Sequence, residues 1–129
     1  MKRLLPLLSL LGIAGLTSHV AQAHHALAAN YDVDNIGSIE GVVVEVFWAN
    51  PHVHYYMEVE NDAGETELWD IESSNLAFMM RSGWTRETVE VGDRIRISGR
   101  LGRNGIHRME LDRESLEILE RDLAAPLRR

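Results

Sequence analysis

Apolar and polar residues alternate in the middle of the chain, a pattern typical of strands with one buried face. The clearest alternation lies between residues 52 and 60. The segment 38–48 before it is rich in valine and ends in Phe47 and Trp48, as suits a half-buried strand. Asn50-Pro51 between them is a turn signal. We therefore predict that the chain is organised around a first strand pair, 38–48 with 52–60, whose second strand has an apolar face (Val53, Tyr55, Met57, Val59) and a polar face (His52, His54, Tyr56, Glu58).

Three further strands and one short helix are predicted after this pair. The third strand covers 66–72, and the fourth covers 94–101. Between them, an apolar stripe from Leu76 to Met80 follows helix-capping residues and precedes Gly83, which predicts a helix of two to three turns with its methionines in the core. Asn104-Gly105 signals a hairpin into a fifth strand, 106–111, which residues 116–119 either continue or follow as an added strand. The residues expected to face inward are Val42, Val44, Val46, Val53, Tyr55, Met57, Trp69, Ile71, Ile95 and Ile97.

The order of these elements predicts the fold class. Three strands, a short helix and two strands suit an all-β domain, and the position of the helix indicates a five-stranded OB-like Greek-key barrel over residues 38–119. A small β-sandwich is the alternative. Residues 24–37 form an N-terminal segment before the barrel, and the charged residues 120–129 form a C-terminal tail.

The first 23 residues have the features of a secretory signal peptide. Lys2 and Arg3 precede an apolar run, and a small-x-small site, Ala21-Gln22-Ala23, follows it. A membrane anchor is the alternative, but the run is shorter than the roughly 20 apolar residues that span a bilayer. We therefore expect cleavage before His24, a location in the periplasm, and no membrane attachment afterwards.

Charge and composition narrow the range of partners. Removing Lys2 and Arg3 leaves 11 basic and 20 acidic residues, a net charge of −9. Such a surface repels nucleic acid, so we expect no nucleic acid partner. The expected partner is a periplasmic protein, a small ligand or a metal ion. The chain has no cysteine, which excludes disulfides, thiol nucleophiles and thiolate metal sites.

Several short motifs in order resemble a family of small exported bacterial proteins, the domain-of-unknown-function family 6152. The similarity runs from about Ala23 to Ile118. It implies an exported single domain with an OB-like fold, and it implies no reaction. The motifs are Ala23-His24-His25, Tyr31-Asp32, Trp48-Ala49-Asn50-Pro51-His52, Gly83-Trp84-Thr85-Arg86 and Gly92-Asp93.

Four of the five histidines after residue 23 form two pairs that are candidate metal ligands. His52 and His54 lie on one face of a strand, roughly 6.5–7 Å apart at Cα, so two imidazoles can approach one ion. After cleavage, His24 has a free α-amine and can chelate with its amine and ring, which resembles the histidine brace of copper proteins; His25 follows it directly. Imidazole suits copper and zinc, so we expect Cu(II) first and Zn(II) second.

No complete catalytic set is present in the sequence. Carboxylates such as Glu45, Glu58, Asp70 and Glu72 lie on the predicted strands, but spacing singles out no pair for acid–base chemistry. Phosphate-loop, dinucleotide and nucleophile-elbow motifs are missing. Three hypotheses remain: a non-catalytic interaction domain, which the sequence favours, a metal-binding module, and a copper oxidase or hydrolase.

Overall fold

The structure, a computed structural model, describes residues 29–121. Residues 29–30 are helical, and five strands with one short α-helix follow them in this part of the chain. The strands are β1 (Tyr31–Phe47), β2 (His54–Glu60), β3 (Thr66–Glu72), β4 (Arg94–Gly102) and β5 (Arg108–Glu120). Helix α1 (Leu76–Arg81) lies between β3 and β4, and a 3₁₀ turn (Arg103–Gly105) lies between β4 and β5. None of the helices described is long and apolar enough to cross a membrane.

The five strands close into a barrel in the order β1-β2-β3-β5-β4. Neighbouring strands are antiparallel, except that β3 and β5 run parallel. A closed five-stranded barrel with a helix between its third and fourth strands is the OB arrangement. The predicted fold class is therefore confirmed.

Strand β1 begins earlier than the sequence predicts. Tyr31 is in register with Gly102 of β4, and pairing with β4 resumes at Ile36 after an irregularity. The polar segment 32–35 gave no strand signal. Residues 32–35 have no register partner in β4 and join the two paired parts of β1. The pairing of Tyr31 with the distant Gly102 makes them part of the strand, and local sequence pattern does not show that pairing.

The inward-facing phase predicted for β1 is also different in the structure. Val43 is 1% exposed, whereas Val42 and Val44, which were expected to face inward, are each 37% exposed. A register shift against β2 between Val43 and Glu45 adds a residue, so that Val46 packs on the core again. A run of valines carries no polar residue to mark its outer face, so the phase there depends on pairing.

The other predicted core positions agree with the structure. Six of them are 0–2% exposed, and Trp69 is partly buried against them. Met79 of α1 is buried completely, but Met80 is 59% exposed, so only part of the methionine stripe fills the core. Helix α1 begins at the cap residue Asn75, whose side chain accepts from the Phe78 amide, and ends before Gly83 at φ 82°. The six predicted core residues that are 0–2% exposed are Val53, Tyr55, Met57, Ile71, Ile95 and Ile97.

Strand β5 is continuous from Arg108 to Glu120, which decides between the two alternatives for residues 116–119. Its first residues, 108–110, pair with β3, and residues from Met109 onward also pair with β4, where two register shifts occur. Strand β5 therefore closes the barrel, and it brings Arg108 beside the outer face of β3.

Candidate functional site

Histidines and carboxylates face each other across strands β2 and β3. Val53 exchanges backbone hydrogen bonds with Ser73 and Ser74, which extends the pairing of the two strands past the start of β2. Val53 is fully buried, so its neighbours His52 and His54 lie on the outer side. On β3, Asp70 and Glu72 occupy the register positions opposite Tyr56 and His54. We call the four side chains of His52, His54, Asp70 and Glu72 the histidine face.

The first ion pair of this face joins His52 to Glu72. The Nδ1 atom of His52 lies 2.5 Å from Oε1 of Glu72, and the side chains are 46% and 15% exposed. The other oxygen of Glu72 accepts a hydrogen bond from the Tyr31 hydroxyl. One carboxylate therefore connects the first residue of β1 to His52.

The second ion pair joins His54 to Asp70. The Nδ1 atom of His54 lies 2.6 Å from Oδ1 of Asp70, with the two side chains about one-fifth exposed. Arg108 donates to the other oxygen of Asp70 through Nε at 3.1 Å and Nη2 at 3.0 Å. Both histidines are thus held by carboxylates that have a second partner of their own.

This hydrogen-bond pattern decides which ring nitrogen is free. A carboxylate accepts hydrogen bonds, so Nδ1 of each histidine is the donor. In a neutral imidazole the remaining Nε2 then has a lone pair. Metal-binding histidines have this arrangement, because a carboxylate on the far nitrogen orients the ring and raises its basicity.

Two tyrosines near the site have raised pKa values. Burial raises the pKa of Tyr31, and its hydrogen bond to Glu72 and the negative charge of that carboxylate add to the effect. Burial also raises the pKa of Tyr56, followed by the charges of Asp70 and Glu45. Both hydroxyls therefore remain neutral donors over the physiological range.

Three rings form a row on the same side of the barrel, which we call the aromatic strip: Phe47, His54 and Tyr56. The rings of His54 and Tyr56 are nearly parallel, 6.2 Å apart at an interplanar angle of 14°. Phe47, which is 44% exposed, meets His54 edge-on at 6.3 Å. Because Asp70 fixes the His54 ring, the strip has a defined orientation.

The other three histidines after residue 23 are not part of this face in the described residues. His107 stacks on Trp69 at 5.2 Å, and its Nε2 lies 3.4 Å from Glu67. His24 and His25 lie outside the residues that the structure describes. Between residues 29 and 121, no three His, Asp or Glu side chains are grouped so that they could hold a metal ion.

Sequence reasoning missed the partners that orient the two histidines. Asp70 and Glu72 have the same two-residue spacing on β3 that His52 and His54 have on β2. This matching spacing could have predicted the two histidine–carboxylate pairs. Tyr31 and Arg108 gave no such signal. Their contacts join residues 41 and 38 positions apart, which only the closed barrel brings together.

The chain matches one family model, described as a family of unknown function, DUF6152, over residues 13–110. The chain belongs to this family. The resemblance found in the sequence is therefore confirmed, and the family carries no known activity. No curated protein matches the chain.

Among solved structures, the chain resembles three small proteins in fold, two of which are named as single-stranded DNA-binding proteins. The mitochondrial protein Rim1 from S. cerevisiae has 14% identity and a TM-score of 0.50, covering 68% of this chain and 96% of that one. The N-terminal domain of PriB from Thermoanaerobacter tencongensis has 17% identity and a TM-score of 0.48, covering 68% and 99%. The small single-stranded DNA-binding protein from Streptomyces coelicolor has 19% identity and a TM-score of 0.44, covering 70% and 93%. At these identities the likeness establishes the fold alone.

The exclusion of nucleic acid as a partner was wrong as an inference from charge. Rim1, whose structure has a TM-score of 0.50 against this chain, is named as a single-stranded DNA-binding protein, which contradicts it. Net charge is an average over the whole molecule and does not describe one face of a barrel. Nucleic acid therefore belongs among the ligands to be tested.

Proposed function

We propose that this DUF6152 chain is an exported, non-catalytic binding domain of the periplasm, and that its ligand is a divalent metal ion, Cu(II) in preference to Zn(II). One observation carries the proposal: carboxylates bind the Nδ1 atoms of both His52 and His54, at 2.5 and 2.6 Å. This arrangement leaves two oriented Nε2 atoms as ligands.

The charge around the two rings favours a cation. Asp70 and Glu72 lie directly behind the histidines, and the chain after residue 23 has a net charge of −9. Arg108 offsets part of this charge at Asp70. The negative charge of Glu72, behind His52, is therefore less neutralised than that of Asp70, behind His54. We expect His52 to contribute more than His54 to the free energy of metal binding.

The described residues provide two imidazoles, and a tight site needs further donors. We propose that His24 supplies them, through the α-amine and the ring, with His25 beside it. Tyr31 follows His24 by seven positions in the chain, a reach of roughly 23 Å when extended. Tyr31 contacts the same carboxylate as His52, so the N-terminal segment joins the barrel close to the proposed site. Copper is preferred because nitrogen ligands bind Cu(II) more tightly than Zn(II).

Calorimetry with Cu(II) tests this function on chain that begins at His24. We expect one ion per chain, and at least roughly tenfold weaker binding for His52→Ala, within the range for loss of a partner at a metal site. Adding one residue before His24 should weaken binding similarly while every side chain stays in place. His107→Ala is the matched control, because that ring stacks on Trp69 away from the histidine face. Equal, weak affinities for the parent, His52→Ala and the extended chain would overturn the proposal.

The aromatic strip supports a second candidate function, binding of single-stranded nucleic acid. Strands 2 and 3 of an OB barrel form its usual ligand face, and stacking of a base on an aromatic side chain contributes roughly 1–3 kcal/mol. Here Phe47 is exposed, and the rings of His54 and Tyr56 are parallel. Because acidic side chains surround the strip, the free energy gained from base stacking would have to exceed the repulsion between these side chains and the phosphates.

Fluorescence anisotropy with a labelled oligothymidylate tests the second candidate. Tyr56→Ala and Phe47→Ala should weaken binding at least fivefold, by the stacking energy of one base. Leu68→Ala is the control, since Leu68 is 59% exposed on β3 and lies outside the strip. Absence of binding at high salt, where the repulsion between the acidic barrel and the oligonucleotide is screened, would eliminate this candidate.

A further inference from the structure

Two arginine side chains pack against the ring of Phe78, a residue of α1 that is 40% exposed. The guanidinium carbon of Arg113, on β5, lies 4.5 Å from the ring centroid, and that of Arg81 lies 5.9 Å from it. Both distances are short enough for attraction between a cation and the face of an aromatic ring. We call the side chains of Phe78, Arg81 and Arg113 the arginine cluster.

The positive charge of the arginine cluster is not neutralised by a neighbouring carboxylate. Within residues 29–121, Arg81 and Arg113 form no ion pair. Other arginines in this range do bind carboxylates, namely Arg94, Arg96, Arg100, Arg108 and Arg121. The whole chain has a net charge of −7, so two uncompensated cations beside one ring form a local surface that attracts an anion.

Arg113 is oriented by its neighbours before any ligand binds. Its Nη1 atom donates to the Ser74 hydroxyl at 3.0 Å, and its guanidinium group lies over the Phe78 ring. The Nε and Nη2 atoms of Arg113 have no hydrogen-bond partner among the described residues. Together they form a fork that can donate to two oxygens of one anion, as phosphate groups are commonly bound.

The arginine cluster lies at the same end of the barrel as the aromatic strip. Phe47 ends β1, and Asn50 in the following loop accepts a hydrogen bond from the Leu76 amide, at the start of α1, at 3.0 Å. Ser74, which Arg113 contacts, comes two residues after the end of β3. OB folds engage roughly 4–16 nucleotides, so one strand of this length can contact both surfaces.

We propose that the arginine cluster binds a backbone phosphate of a single-stranded nucleic acid whose bases stack on the aromatic strip. Arg113 is the phosphate ligand, and Arg81 adds positive charge beside it. This inference rests on the second candidate function. Nucleic acid is favoured over an acidic peptide because each phosphate along a nucleic acid is accompanied by a base for the strip. The cluster thus gives an acidic barrel a local place for phosphate.

Fluorescence anisotropy with labelled oligothymidylate at several salt concentrations tests this site on chain that begins at His24. Arg113→Gln should weaken binding roughly fivefold at about 0.1 M salt and change the slope of log affinity against log salt by about 0.7, the values for loss of one phosphate contact to a single strand. Arg81→Gln should change both in the same direction. Arg96→Gln is the matched control, because it changes the net charge equally at an arginine that already binds Glu40 and Glu117.

The outcomes separate this site from the second candidate function. If the parent binds the oligonucleotide and the three glutamine variants have equal affinities and salt slopes, the arginine cluster is not the phosphate site, and binding on the aromatic strip still stands. A parent that binds no oligonucleotide even when salt screens the repulsion would remove the second candidate function and this site with it. Inorganic phosphate that shifts the Arg113 Nε resonance of such a parent in NMR spectra would assign the cluster to free phosphate instead.

Discussion

At the scale of single residues, the tyrosine hydroxyls inside the barrel link stability to pH. Burial raises the pKa of Tyr55, and burial together with Glu72 raises that of Tyr31. In the unfolded chain a tyrosine ionises near pH 10. Below that pH the hydroxyl is neutral in both states, and the stabilisation is fully present. Above it, the unfolded chain loses protons that the folded chain retains, so stability falls as pH rises.

We therefore expect the free energy of unfolding to fall by up to about 1.4 kcal/mol per pH unit for each of these hydroxyls above roughly pH 10. Urea unfolding followed by tryptophan fluorescence at neutral and alkaline pH measures this slope. Tyr55→Phe should have a shallower slope than the parent, because one titrating group is missing. A slope unchanged by the substitution would contradict the assignment to Tyr55.

Two neighbouring valines test the inward-facing phase of β1. Val43→Ala should lower the free energy of unfolding by roughly 2 kcal/mol, because it removes buried methyl groups and leaves a cavity. Val44→Ala should change it by less than about 0.5 kcal/mol, since Val44 is 37% exposed. Denaturant unfolding of both variants measures the difference, and the reverse order would contradict the bulge between Val43 and Glu45.

At the scale of elements, one buried carboxylate joins the end of β5 to the loop before β4. Asp93 is 1% exposed and accepts from Arg121 through Nε at 2.9 Å and Nη2 at 2.7 Å. Its second oxygen also accepts from the Glu90 amide, and Arg121 donates to the Thr88 carbonyl. These contacts fix the residue directly after β5 against the connection between α1 and β4.

Arg121→Met should therefore be strongly destabilising, by about 3 kcal/mol or more, because it leaves the buried Asp93 carboxylate without its cation. Arg96→Met is the control. Arg96 also makes two ion pairs, with Glu40 and Glu117, but it is half exposed, so its loss should cost about 1 kcal/mol or less. Thermal unfolding of the two variants measures the contrast, and similar melting temperatures would contradict the stabilising role of the Asp93–Arg121 ion pair.

At the scale of the whole molecule, export decides whether His24 has a free amine. Expression of the full chain in a Gram-negative host should yield periplasmic protein that begins at His24, because the Ala21-Gln22-Ala23 site follows a short apolar run. N-terminal sequencing and intact mass of the periplasmic fraction check this. Chain that retains Met1 and is found in the membrane fraction would contradict the expectation. His24 would then have no free α-amine to bind the metal ion.

The sequence alone determined the features that depend on local pattern. Alternation over 52–60 placed Val53, Tyr55 and Met57 inside, and it placed His52 and His54 together outside, because adjacent strand residues point to opposite faces. Turn and cap residues such as Asn75 and Gly83 separated the elements. Their order predicted an OB-like barrel in preference to a β-sandwich, and the structure confirms the barrel.

Only the tertiary structure decided which residues orient the site and which valines face the core. Which residues of β1 face inward depends on a bulge in its pairing with β2. The bulge cannot be predicted from a run of valines alone. Tyr31 meets Glu72, and Arg108 meets Asp70, across about 40 residues of chain. Such contacts depend on barrel closure, in which β5 pairs in parallel with β3 and β1 pairs with β4. Local patterns describe each strand separately, whereas closure determines which side chains of distant strands meet.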